Sequence, residues 1–162
     1  MDAELDRYAA ETLRMLDDPG LLLVTCRDGK PNVMTIGWGF IGILWKVPVF
    51  VVAVRLSRFT HQILEENGEF TVNVPNERME KIVQHCGEVS GRQHDKFSEC
   101  KLSPIDGKET KVPVLAECQI HYECRIVHKL DMNPDLIPDQ WKSLYPNRNY
   151  HTLYFGQILQ TY

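Results

Sequence analysis

Between residues 55 and 61 the chain reads Arg-Leu-Ser-Arg-Phe-Thr-His, which gathers guanidiniums, hydroxyls and an imidazole within one short stretch. Arg55 and Arg58 can each grip two oxygens of an anion at once, and Ser57 and Thr60 add short donors. The apolar run from 49 to 54 reads as a buried strand and residues 60–66 as a short helix. The stretch therefore also offers the unpaired amides and positive dipole end of a helix start. Together these groups suit a phosphate dianion. The competing reading is an ordinary helix cap from Ser57 or Thr60, with both arginines in solvent.

Two further stretches extend the phosphate reading. Ser90-Gly91-Arg92-Gln93-His94-Asp95-Lys96-Phe97 is a second local concentration of positive charge. Thr35-Ile36-Gly37-Trp38-Gly39-Phe40-Ile41-Gly42 interrupts a strand with glycines, where backbone can approach a flat ligand or form a bulge. A ligand with a terminal phosphate, a polar linker and a flat heteroaromatic ring would use all three. The backbone near Gly37 would meet ring acceptors, Trp38 would cover one edge, and Asn32 and Asn73 would reach linker or ring oxygens. FMN has that shape, and pyridoxal phosphate is the smaller rival.

Other chemistries find less support. His85, Cys86, His94 and Cys100 lie close in sequence, but their spacing fits no zinc pattern, so no metal site is expected. Cys118 and Cys124 read as core residues six positions apart on one strand, too distant to pair. There is no G-x-S-x-G and no cysteine with an evident base. Gly37 to Gly42 does spell G-x-G-x-x-G, yet a strand follows where a dinucleotide site needs a helix. A formal net charge of −4 argues against a nucleic-acid surface. Five cysteines without a C-x-x-C pair predict a reducing, cytoplasmic setting. The acidic N-terminus lacks a signal-peptide n-region and no apolar run reaches membrane length, so a soluble protein without membrane contact is expected.

The elements that must position these residues follow from periodicity. Residues 3–17 predict an amphipathic helix ended by Pro19-Gly20, and 21–26 a strand turned at Asp28-Gly29 into a second strand. Residues 69–74 alternate as a strand, Asn76 caps a helix with Gly87 just past its end, and 112–128 read as one long strand. On that strand Glu117, Gln119, His121, Glu123 and Arg125 form the polar face. Residues 129–150 predict a long loop with one helical turn near 138–144, and 151–159 a final strand bulged at Gly156. Six or seven hairpin-connected strands with few helices predict one mainly β domain over residues 1–162, an antiparallel barrel.

Taken with Gly42-Ile43-Leu44-Trp45, Pro48-Val49-Phe50 and Gly68-Glu69-Phe70-Thr71-Val72-Asn73, the stretches 35–39, 55–61 and 90–97 give the chain a pattern that resembles the flavin reductase-like, FMN-binding split-barrel family, nearest its flavoredoxin-type members. The resemblance spans about residues 20–160 and implies a Greek-key-like split β-barrel with a few peripheral helices, and a homodimer with FMN near the subunit interface. It implies Arg55, Ser57, Thr60 and His61 at the phosphate with Lys96 as a further cation, and Asn32, Thr35, Gly37, Trp38 and Asn73 about the ring. No side chain is then expected to be catalytic, because the flavin carries the chemistry. The function implied is an FMN-dependent oxidoreductase taking electrons from NADH, NADPH or a redox protein partner; the alternatives are a non-catalytic FMN electron carrier and a flavin-free anion-binding domain. Two positions depart from the family pattern: Leu56, where proline is frequent, predicts a looser cradle, and Gln157, where an acid is usual, predicts an altered dimer contact.

Overall fold

Strand β1 (Leu21–Arg27) is buried on both faces, and the rest of the fold is layered around it. A computed structural model describes residues 3–162 of the chain, and side chains from Arg7 onward. The Asp28-Gly29 turn carries β1 into β2 (Lys30–Ile36), with both turn residues at positive φ, 51° and 74°, as a two-residue hairpin requires. A second hairpin joins β3 (Gly39–Leu44) to β4 (Val47–Arg55). Its turn residues, Trp45 and Lys46, also have positive φ, 51° and 62°, but carry no glycine or asparagine to announce the turn.

With β5 (Glu69–Val74), β8 (Ile120–Asp131) and β9 (His151–Thr161), these strands make a sheet in the order β2-β1-β5-β8-β9-β4-β3, antiparallel throughout. Short strands β6 (Pro104–Ile105) and β7 (Val114–Leu115) form a small separate ribbon. Helix α1 (Ala3–Asp17) sends Met15 and Leu16 into the barrel interior, among Phe50, Phe70, Tyr122 and Tyr154. The Thr12 and Tyr122 hydroxyls meet there at 2.7 Å. A second apolar cluster lies on the other face of β1: Leu22 and Val24 pack with Val83 and Cys86 of helix α3 (Glu80–Glu88) and with Leu115 of β7. Because β1 serves both clusters, its first four residues, Leu21 to Val24, are an unbroken apolar run and not an alternating one.

The predicted split barrel is the architecture found, with three local differences. Residues 112–128 are not one strand: β7 ends at Leu115, a turn intervenes, and β8 runs on to Asp131. Gly87 lies inside α3, which continues to Glu88. The bulge expected at Gly156 lies opposite it, at Val127 of β8, where pairing jumps from Ile126↔Gly156 to His128↔Phe155. Gly156 itself answers to packing: a Cβ there would sit 2.4 Å from Phe70 Cζ and 2.8 Å from Cys124 Cβ, inside the fully buried interior. Gly156→Ala should therefore cost about 1–3 kcal/mol of stability by overpacking, read as a lower urea midpoint with unchanged slope.

Candidate functional site

Three segments meet beside the end of β4: strand β2, the corner leading into helix α2 (Phe59–Glu66), and the connection from α3 to helix α4 (Lys96–Cys100). Asn32 is buried and donates through Nδ2 to Thr60 Oγ1 at 2.8 Å and Thr25 Oγ1 at 3.3 Å. A Cβ on Gly91 would lie 2.2 Å from Asn32 Oδ1, so only glycine lets the third segment come this close. Arg92 closes the junction from outside, donating to Ser57 O at 3.1 Å with its guanidinium over the Phe59 ring.

Two cations reach inward between these segments. Arg58 Nη1 donates to Gly87 O at 2.9 Å, and Lys96 Nζ to Cys86 O at 3.1 Å and Val89 O at 3.2 Å, so both sit at the negative C-terminal end of α3. Burial lowers the pKa of both, and for Arg58 the neighbouring Arg55 lowers it further. Among the described residues, no carboxylate oxygen lies within 4.0 Å of Arg55, Arg58, Arg92 or Lys96. No side chain caps the first amides of α2 either, so neither Ser57 nor Thr60 is an ordinary helix cap. Arg58, Arg92 and Lys96, none of them in an ion pair, thus gather near the uncapped start of α2, a chemistry that an anion would complement.

Arg55 and Ser57 turn the other way. Arg55 donates to Asn149 O at 2.8 Å and Leu144 O at 3.0 Å, with its guanidinium over the rings of Trp38 and Tyr145. Ser57 accepts from Asn149 Nδ2 at 2.7 Å, and its amide donates to Asn149 Oδ1 at 3.2 Å. The Leu56 amide donates to Tyr150 O at 3.1 Å, a bond proline lacks, so the departure at position 56 ties the corner down where looseness was predicted. His151 is buried between Trp38 and Tyr145, and burial together with Arg55 and Arg58 pushes its pKa down to about 4. It is therefore a neutral spacer.

The remaining predicted residues divide. Thr35 donates its hydroxyl to Val83 O and packs against Gly87, which places it in the wall of the junction. Gly37 and Trp38 form the irregular step between β2 and β3, with Gly37 nearly free of contacts beyond its neighbours. Gly39 approaches its own partner strand, where a Cβ would meet Val51 O at 2.4 Å, so its glycine serves the hairpin and not a ligand. His61 lies apart, its Nε2 3.2 Å from Thr152 Oγ1 and its ring edge-on to Tyr154. Asn73 also lies apart: it donates to Leu22 O and accepts from Leu115 N and His121 Nδ1 beneath β7, so its hydrogen bonds are spent within the fold. Sequence reasoning named both Arg55 and Arg58 as anion donors but carried only Arg55 to the phosphate, and it left Arg92 and Gly91 out although both lie in a stretch already singled out.

Two hollows flank the corner. One, of about 680 Å³, runs past Lys30, Asn32, Phe59, Arg92 and Lys96; the other, of about 420 Å³, is apolar and bounded by Trp38, Leu136, Ile137, Trp141 and Tyr145. The 129–150 segment, with its helical turn α5 (Asp139–Lys142), makes most of the second wall.

Residues 18–162 match the family described as flavin reductase like domain. The chain belongs to the flavin reductase-like family. Flavoredoxin from Methanosarcina acetivorans is 30% identical in sequence and superposes with a TM-score of 0.71, covering 89% of this chain and 67% of that one. Flavoredoxin of Desulfovibrio vulgaris (Miyazaki F), 24% identical with a TM-score of 0.71 over 89% of this chain and 68% of that one, shares the fold. An uncharacterized protein of Archaeoglobus fulgidus is 34% identical over 130 residues, 80% of this chain and 64% of its own. The flavin reductase-like chain thus spans just under two thirds of that relative's length. Membership supports a flavin-binding redox function, and no described helix is long and apolar enough to cross a membrane.

Proposed function

We propose that this chain is an FMN-binding oxidoreductase of flavin reductase or flavoredoxin type, which moves electrons from NADH, NADPH or a redox protein to an acceptor. The observation that carries the reading is the set Arg58, Arg92 and Lys96 near the uncapped start of α2, with no carboxylate oxygen within 4.0 Å of any of them. A phosphate monoester carries up to two negative charges at neutral pH and gives that cluster its missing counter-ion. Arg58 keeps further N–H donors beyond the one spent on Gly87, and Lys96 and Arg92 lie on the same groove side. Asn32, fixed by Thr25 and Thr60, holds Oδ1 toward the Gly91 backbone and braces the loop that supplies the cations.

Bound flavin supplies the hydride and electron chemistry, so the chain needs no nucleophile or metal for it. What the chain supplies is position and exclusion of water. Residues Thr35 to Trp38 would hold the ring against backbone. Trp38, stiffened by Arg55, Tyr145 and His151, would wall its edge, while the 129–150 segment limits access. An aromatic strip running Phe40, Phe155, His128, Trp45 crosses β3, β9 and β8 with neighbouring ring centroids 5.4–6.4 Å apart, and Trp45 is 65% exposed. A surface of this kind supports a homodimer. The free cysteines support a reducing, cytoplasmic setting.

Titration with FMN and with riboflavin tests the reading. With two or more charge-assisted bonds to the phosphate, FMN should bind about 100-fold or more tightly than riboflavin. Equal affinities, or no uptake of either, would overturn it. Oxidation of NADH or NADPH by the FMN-loaded protein separates an enzyme from a pure carrier.

A further inference from the structure

We propose that His85, His94 and Glu99 form a binding site for a divalent transition metal, between the last turn of α3 and helix α4. His85 closes α3, His94 lies in the connection and Glu99 belongs to α4. The fold brings His85 Nε2 to 2.7 Å from Glu99 Oε2 and His94 Nδ1 to 3.0 Å from Glu99 Oε1. One donor atom from each of the three residues lies within 4.8 Å of both others.

Tetrahedral zinc with bonds of about 2.0–2.1 Å sets its donors roughly 3.3 Å apart. The two histidine-to-carboxylate separations fall just short of that value and all three donors lie within 4.8 Å of one another, so small side-chain rotations would bring them to an ion. Two imidazoles and one carboxylate select zinc, cobalt or nickel over magnesium or calcium, which prefer oxygen donors. Three protein ligands leave a fourth position for water. All three side chains are partly exposed, at 36–41%, so the ion has a path of entry. Lys81 and Lys101 border the same groove and set an upper limit on affinity by repulsion.

Spacing arguments pass over this site because they set the cysteines beside the histidines and leave Glu99 out. Cys86 is buried in the apolar cluster behind α3, and Glu99 stands in its place as the third donor. The bound ion would tie the end of α3 to α4 and so bracket residues 90–96, the loop that carries Arg92 and Lys96. The site does not depend on the flavin reading.

Zinc chloride titrated calorimetrically into chelator-treated full chain tests it, with cobalt absorption reporting the ligand set. One equivalent should bind, and cobalt should give a visible band. His94→Ala and Glu99→Gln should each weaken zinc binding at least tenfold while leaving the far-UV spectrum unchanged, and Cys100→Ser should bind as the parent does. Absence of a one-to-one site in the parent, or unchanged affinity in both His94→Ala and Glu99→Gln, overturns the assignment. Loss of binding in Cys100→Ser overturns it too, by moving the site to the thiols.

Discussion

Arg58→Ala should weaken FMN binding by about 1.5–3 kcal/mol, roughly 10- to 150-fold, and leave riboflavin binding nearly where it was. Arg58 is half-buried, lies beside two other cations and has no carboxylate to neutralise it, so a phosphate contact there would be strengthened by poor solvation. The variant also loses the bond to Gly87 O and with it some stability. For that reason the ratio of FMN to riboflavin affinity, measured on the same preparation, is the informative quantity. A ratio unchanged from the parent would remove Arg58 from the phosphate. Arg55→Ala should lower that ratio less, because the guanidinium is already engaged by Leu144 O and Asn149 O.

The largest loss of stability should come from Glu123→Ala. This carboxylate is fully buried, yet Oε1 accepts from Lys108 N at 2.7 Å and Tyr162 Oη at 2.9 Å, while Oε2 accepts from Glu109 N at 2.8 Å, Thr110 N at 2.7 Å and Thr110 Oγ1 at 3.1 Å. Truncation strands all these donors, and about 3–5 kcal/mol should be lost in urea unfolding at neutral pH. Burial alone would raise the pKa of Glu123, but the hydrogen bonds from the 108–110 amides and Tyr162 outweigh it and hold the pKa below the usual carboxylate value. Since the folded-state pKa is depressed, the stabilisation is complete above the unfolded value near pH 4.3 and is lost as pH falls through the folded value. The gap between parent and variant should thus narrow below about pH 4. A gap that stays constant from pH 7 to pH 3 would show that the carboxylate is not held as an anion.

The barrel was legible because its strands carry local signals: alternation in β5, the Asp-Gly turn, the apolar run of β4. The alternation of β8 was legible too, but its meaning was not. His121 and Glu123 occupy the polar face as predicted, yet residues 104–115 fold over that face and bury it, a long-range event that alternation cannot reveal. Asn73 was misplaced for the same reason, since its face of β5 lies beneath β7. Within residues 55–61 the composition pointed to an anion, but not to the different directions that the two arginines take. Arg55 ends a strand and follows its pleat toward Trp38 and Tyr145, whereas Arg58, at the cap of α2, swings toward α3. Three positions in sequence thus separate a clamp from a cradle.

His151 has one more consequence. An imidazole ringed by aromatic side chains and repelled by Arg55 and Arg58 accepts no proton until about pH 4, so it adds no charge of its own as a cell acidifies or recovers. A phosphate monoester takes up its own proton near pH 6, in an interval where this wall stays electrically silent. Were such a group bound here, any acid sensitivity of its binding would originate with the guest, and His151 would contribute none of it.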